Sequence, residues 1–261
     1  MKPTSQPLFI NTRPSHRGRA LACLPNVRTL SLPLLAIHDV PLDDADRGRM
    51  ADLLAGKYQA LIITSLESAK RAIAFLQAKN VQAQDLPPFA IIAVGSATAK
   101  AVREFGLSVI LPATANNEGM LALDEIMRLH ACDKVLIWRG KGGRRLLHDT
   151  LVMRGVDVQA IEWYERAAPA DLADNFAKHQ AQIRTAIANG APVVALISSE
   201  QAFRHWQAVS GELASQVHYL ALGARLVNII QHALPSVSTH IHEIQDLQTA
   251  SIACAINAIC T

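Results

Sequence analysis

Arginines, hydroxyls and glycines recur in this chain where short apolar runs end. Leu8-Phe9-Ile10 runs into Asn11-Thr12-Arg13-Pro14, and Trp138 is followed by Arg139-Gly140-Lys141-Gly142-Gly143-Arg144. A guanidinium grips a carboxylate through paired N–H bonds, and glycine lets backbone approach a ligand closely. Arg13 and Arg139 are equally well explained by solvated charge on a flexible turn, and Arg144 and Arg145 are better explained that way. A second kind of junction is rich in hydroxyls: Ile63-Thr64-Ser65-Leu66-Glu67-Ser68-Ala69 and Ile197-Ser198-Ser199-Glu200-Gln201-Ala202. Serine there caps a helix, a role compatible with touching a ligand. A third kind is Val94-Gly95-Ser96-Ala97-Thr98-Ala99 and Leu222-Gly223-Ala224-Arg225-Leu226-Val227, where a lone glycine is more often a turn requirement than a phosphate loop. In parallel α/β sheets such junctions lie at the carboxyl ends of strands. There the free N–H groups and positive dipole ends of helices face anions.

Other chemistries lack their signatures. The glycine patterns of the Rossmann and P-loop fingerprints are missing, so nucleotide cofactors are not indicated. HExxH, GxSxG and metal-like Cys/His spacings are missing too, and the ten histidines are scattered. A net charge of +3 without Lys/Arg runs suits anionic small molecules and gives no nucleic-acid stripe or polybasic membrane patch. Cys23, Cys132, Cys254 and Cys260 have neither zinc nor redox spacing and fit a reducing cytoplasm. The opening MKPTSQPLF carries prolines where a signal peptide needs an apolar run, and no apolar stretch approaches a membrane span. The expectation is a cytoplasmic protein in which neither a nucleotide cofactor nor a metal site is indicated.

The elements behind these junctions alternate. Strands are predicted at 8–10, 27–32, 60–64, 89–94, 109–111, 135–138, 156–164, 193–197 and 219–222, with an extended stretch at 34–40 between Pro33 and Pro41. Prolines at both ends favour an edge strand. Helices are predicted at 19–24, 43–54, 65–76, 98–105, 118–130, 144–154, 171–189 and 201–209, then from the Gly223 break to about 232, and at 245–260. Such alternation gives parallel sheets with helices on both faces. Half the residues are hydrophobic and only 5% are aromatic, so the core is built of Ala, Leu, Ile and Val. The pattern also repeats: residues 13–21 align with 139–147, Thr64-Ser65 with Ser198-Ser199, and Val94-Gly95 with Leu222-Gly223. Two similar halves favour two similar lobes over one large sheet, with the active site expected in the cleft they form.

Taken together, Asn11-Thr12-Arg13-Pro14, Ile63-Thr64-Ser65 with Ser68-Ala69, Ala93-Val94-Gly95 with Thr98-Ala99, Arg139-Gly140 with Gly143-Arg144, Gly155 and Tyr164-Glu165-Arg166 resemble the uroporphyrinogen-III synthase family. Ser198-Ser199 and Leu222-Gly223 fit as second copies. Each motif is weak alone, and their order and spacing over almost the whole chain carry the resemblance. It implies two flavodoxin-like α/β lobes joined by a two-stranded ribbon. One lobe is then discontinuous, 1–34 with 168–261; the other is 41–162; the ribbon is 35–40 with 163–167. It also implies closure of hydroxymethylbilane to uroporphyrinogen III, with inversion of ring D and loss of water, by a monomer that uses no cofactor. Hydroxymethylbilane synthase is then the upstream donor.

By the same resemblance Arg13, Thr64, Ser65, Ser68, Gly95, Thr98, Arg139, Gly140, Ser198, Ser199 and Gly223 bind the polycarboxylate substrate, and Tyr164 donates the proton that lets water leave. From the residues alone Tyr164 reads as an amphipathic linker residue with its hydroxyl in water. A phenol, ordinarily of pKa about 10, is a weak acid. The family's second Gly-x-x-Thr turn is here Gly223-Ala224-Arg225-Leu226, so a hydroxyl contact is lost, and Arg225 is a candidate replacement. The runner-up reading is a non-catalytic two-lobed binding protein for an anionic small molecule, which keeps the Arg and Ser junctions and does not need Tyr164. A receiver-like scaffold ranks below it, because strand ends here carry Thr, Ser, Arg and Gly where receivers need an acidic cluster.

Overall fold

The computed structural model describes residues 6–143 and 145–260; the expectation for Arg144 lies outside them. Ten strands run through these residues: β1 (Leu8–Asn11), β2 (Arg28–Ser31), β3 (Ala36–Asp39), β4 (Ala60–Ile63), β5 (Ala90–Ala93), β6 (Lys134–Gly140), β7 (Asp157–Ala167), β8 (Val193–Ile197), β9 (His218–Leu222) and β10 (Ile241–Ile244). They form two five-stranded sheets, ordered β10-β9-β8-β1-β2 and β3-β7-β6-β4-β5. The chain divides accordingly into two compact units. One comprises the residues up to Ala36 together with those from Ala167 on; the other is Ile37–Arg166.

In the first sheet β1 pairs in parallel with β2 and β8, and β9 with β8 and β10. In the second, β4 pairs in parallel with β5 and β6, and β6 with β7. Both faces of each sheet are buried, which is why the central strands are unbroken apolar runs. Leu61, Ile63, Leu136 and Trp138 pack into one core layer, while Ala60, Ile62, Val135 and Ile137 pack into the opposite one. In the first unit Leu8, Ile10, Ala195 and Ile197 face one layer and Phe9, Val194 and Leu196 the other. The helices Leu172–Ala188, Glu200–Ser210 and Thr249–Cys260 contribute apolar residues to these layers, as Leu66–Ala78 and Leu146–Met153 do in the second unit.

The sequence repeat and the sheet orders agree in a specific way. Matching the aligned segments sets β1-β2 against β6-β7 and β8-β9 against β4-β5. The sheet orders β2-β1-β8-β9 and β7-β6-β4-β5 then correspond strand for strand. Each unit therefore takes one strand pair from the first half of the chain and one from the second. The halves of the repeat are not the units; they exchange strand pairs.

Several sequence expectations change in detail. The strand expected at 109–111 is a single parallel bridge from Ile110 to Ile92, at the place beside β5 that β10 fills beside β9. β10 lies within a region left unassigned, and the last helix begins only at Thr249. Of β10's four residues only Ile244 is buried, so this edge strand has no apolar alternation to betray it. The helix expected at 118–130 is two short ones, Asn117–Leu121 and Asp124–Met127. The helix expected at 19–24 is the short helix Ser15–Gly18 followed by the 3-10 turn Arg19–Leu21. Asp171 stands at the N-cap position but its carboxylate accepts from the Asn175 side chain, 2.8 Å away. Residues 35–40 and 163–167, expected as a two-stranded linker, hold β3 and the carboxyl end of β7. β3 is the edge neighbour of β7, with Val40 N–H donating to the Trp163 carbonyl at 3.2 Å.

Candidate active site

Each sheet contains one place where successive connections leave in opposite directions. From β1 the chain moves outward to β2, whereas from β8 it moves the other way to β9. In the second unit β4 leads outward to β5 and β6 the other way to β7. Ligands of open α/β sheets sit at such switch points, outside the carboxyl ends of the strands. Arg13 and Ser198-Ser199 flank the first; Thr64-Ser65 and Arg139-Gly140 flank the second.

At the second switch point the hydroxyls do structural work. The Trp138 carbonyl, at the end of β6, accepts from Thr64 N–H at 3.0 Å, Thr64 Oγ1 at 3.2 Å and Ser68 Oγ at 3.2 Å. Ser65 caps its helix, accepting from Ser68 N–H at 3.1 Å. Ser68, expected as a substrate contact, is wholly buried, and its hydroxyl bond to the Trp138 carbonyl ties β4's junction to β6. Thr98, in the first turn of the helix Ser96–Glu104, is also buried; Gly95 is its extended N-cap residue. The Arg139 guanidinium folds over its own loop, donating to the Gly143 carbonyl at 2.9 Å and the Gly140 carbonyl at 3.3 Å, with Glu162 3.7 Å away. It orders the glycine turn, and the neighbouring Lys141 is exposed and paired with Glu165 at 3.1 Å.

At the first switch point Thr12 Oγ1 donates to the Leu196 carbonyl, joining β1 to β8 as Thr64 joins β4 to β6. Asn11 shapes the turn, donating to the Gly18 carbonyl at 2.9 Å and accepting from Arg13 N–H at 3.3 Å. Partial burial, and after it the neighbouring Arg17 guanidinium, lower the Arg13 pKa from its ordinary value. Both effects favour an arriving carboxylate. Ser199 caps its helix through Ala202 N–H at 3.2 Å, and Ser198 stands half-buried beside it. Gly223 has φ +80, the left-handed conformation that suits glycine. Leu226 is buried, whereas Arg225 is exposed and paired with Glu200 at 3.4 Å, which bridges the second and third junctions of this unit.

Tyr164 is the largest departure. It is 4% exposed and packs in the core layer of Trp138 and Trp163. Alternation along β7 sends Ile161 and Trp163 to that layer and Val158 and Ala160 to the other, so Tyr164 ought to face away. A bulge prevents this. Arg139 pairs with Glu162, but the next residue, Gly140, pairs with Tyr164, leaving Trp163 as the extra residue. The slip turns Tyr164 onto the Trp163 side. Its ring then lies over Gly140, where an added Cβ would sit 2.5 Å from Cζ and 2.8 Å from the hydroxyl. The Arg71 and Arg166 guanidinium carbons lie 5.5 and 5.8 Å from the ring centroid. Sequence reasoning missed Arg71. Its i,i+4 spacing from Glu67 was a readable signal, but its contacts with Asp39 and Tyr164 arise only from the fold.

Among the described residues no group of three or more His, Cys, Asp or Glu side chains is placed to hold a metal ion. No described helix is long and apolar enough to cross a membrane. Two α/β units, each a largely parallel sheet with arginine, hydroxyl and glycine junctions at its switch point, define a two-unit open-sheet α/β class of protein. The chain belongs to the uroporphyrinogen-III synthase family: the family model for uroporphyrinogen-III synthase HemD matches residues 26–236. The uroporphyrinogen-III synthase of Escherichia coli (strain K12) is 35% identical over 166 residues, covering 60% of this chain and 64% of that protein. Its counterpart from Salmonella typhimurium is 34% identical over 163 residues with the same coverage, so the match spans just under two thirds of either relative. Among solved structures, a mutant uroporphyrinogen III synthase from the extremely thermophilic bacterium Thermus thermophilus shares the fold at TM-score 0.59 and 14% identity, over 97% of this chain and 98% of that one. The uroporphyrinogen-III synthetase of Helicobacter pylori does so at TM-score 0.52 and 18% identity, over 97% and 98%.

Proposed function

We propose that this protein is a uroporphyrinogen-III synthase, closing hydroxymethylbilane to uroporphyrinogen III with inversion of ring D and release of water. The observation that carries the proposal is the family match over residues 26–236, which includes three of the four switch-point junctions. The substrate's carboxylates meet Arg13, the Ser198-Ser199 and Gly223 junctions, and the Thr64-Ser65, Gly95 and Arg139-Gly140 junctions. Hydrogen bonds to charged groups contribute about 1.5–3 kcal/mol each, so several such contacts hold a flexible linear tetrapyrrole in a curled conformation. Ser68 and Thr98, being buried, support these junctions from behind.

Tyr164 is the proposed acid. Its O–H proton passes to the terminal hydroxyl, the C–O bond breaks, and water leaves an azafulvenium cation beside the phenolate. The substituted carbon of ring D attacks, the resulting spiro intermediate fragments and recloses inverted, and the proton finally lost from the pyrrole returns to the phenolate. The substrate arrives from hydroxymethylbilane synthase, and the enzyme works as a cytoplasmic monomer without a cofactor. The deciding experiment supplies hydroxymethylbilane and separates the oxidised product isomers. Predominantly type III product is expected; type I alone, the spontaneous closure product, would overturn the proposal.

A further inference from the structure

We propose that Arg71 is a positioning residue for Tyr164, the centre of a brace that fixes the phenol ring. The proposal rests on the synthase reading for its kinetic consequence and on geometry for the rest. Arg71 stands on the helix Leu66–Ala78, which begins at the Thr64-Ser65 junction. Its guanidinium is held from two directions. Nε donates to Asp39 Oδ1 at 2.6 Å, and one terminal nitrogen donates to Glu67 Oε2 at 2.5 Å and to the Glu67 carbonyl at 3.2 Å. Asp39 belongs to the edge strand β3 and Glu67 lies one helical turn back, so the fork cannot rotate without breaking bonds to two elements. Burial works against the Arg71 charge, and the bonds to Glu67 and Asp39 outweigh it, raising its pKa.

The fixed guanidinium lies 5.5 Å from the Tyr164 ring centroid, within cation–π range, and Arg166 lies at 5.8 Å. Gly140 receives the ring where any Cβ would collide. A ring contacted by a held cation and seated over a glycine has few orientations. Surface ion pairs contribute little to stability when exposed. The Arg71 and Glu67 side chains, however, are 23% and 24% exposed, so their pair is the firmer hold, and the Asp39 partner, 81% exposed, adds a second direction to it. The chemistry these contacts serve is the aim of the Tyr164 hydroxyl, because misplacing a reacting group by about 1 Å costs as much as about 10²-fold.

The test uses Arg71→Lys, which keeps the charge and loses the fork, and Asp39→Asn, which loosens Arg71 without touching it. Steady-state formation of type III product is measured together with the fluorine NMR signal of 3-fluorotyrosine at position 164, assigned among the three tyrosines with Tyr164→Phe. Both variants should lower kcat by roughly 10- to 100-fold with KM little changed, and should shift the Tyr164 fluorine signal toward a mobile, averaged position. In a Tyr164→Phe background Arg71→Lys should cost nothing further in kcat. A Tyr164 signal unmoved in both variants, or a kcat loss undiminished in the Tyr164→Phe background, would overturn the brace. Wild-type protein giving type I product alone would instead overturn the synthase reading, and the fluorine signal would still decide the brace.

Discussion

Tyr164 concentrates the residue-scale chemistry. Replacing it with phenylalanine keeps the ring and removes the donor. Turnover should then fall by about 10²- to 10⁴-fold without vanishing, measured as the rate of type III product. An unchanged rate would remove the acid assignment and leave the family reading intact. Gly140→Ala places a methyl group 2.5 Å from the Tyr164 ring. It should destabilise the second unit by about 1–3 kcal/mol in urea unfolding and lower kcat as well, because the ring must move. Ser68→Ala removes one of three donors to the Trp138 carbonyl. It should cost about 0.5–1.5 kcal/mol of stability and leave KM unchanged, whereas a raised KM would restore Ser68 as a substrate contact. The sequence identified these residues as a set but not their division of labour. A serine a few residues after a strand looks the same whether its hydroxyl faces a ligand or a neighbouring carbonyl.

At the scale of elements, the central strands were legible because both faces of each sheet are buried and their residues form unbroken apolar runs. The caps at Ser65 and Ser199 were legible because the hydroxyl stands three residues before the N–H it satisfies. The bulge in β7 was not, since a one-residue slip depends on the partner strand and on the space at Gly140. Nor was β10, whose residues are mostly half-exposed. A histidine cluster joins this strand to its neighbour. His218, at the start of β9, lies 4.5 Å from the His240 ring and 5.7 Å from that of His242 in β10. Burial first, then the charges of His240 and His242, push the His218 pKa down to about 4. Unfolded histidine titrates near 6.5, so the unfolded chain binds more protons between these values. Stability should therefore be full above pH about 6.5 and fall as pH drops toward about 4, seen as a declining Tm that His218→Gln flattens.

At the scale of the whole molecule, the two sheets are assembled by exchange between the halves of the repeat. The sequence showed the repeat, but the exchange is fixed by which strands pair, and pairing partners leave no mark on either strand. It follows that residues 37–166, which carry one complete sheet, should unfold cooperatively as an isolated fragment in denaturant titrations. A fragment ending at residue 132 holds β1 to β5 without β6 to β10 and should show no such transition. The pairing of Leu8 with Val193 has a further consequence, for synthesis on the ribosome. Ribosomes add about 5–20 residues per second, so β1 waits roughly 10–40 s for β8, while the second unit can already close around β6 and β7. During that interval Leu8-Phe9-Ile10, an apolar strand destined for the middle of a sheet, has β2 on one side and nothing on the other. β1 is thus made long before one of its two partners and is among the last strands to complete its pairing, so the nascent chain is most prone to aggregate there.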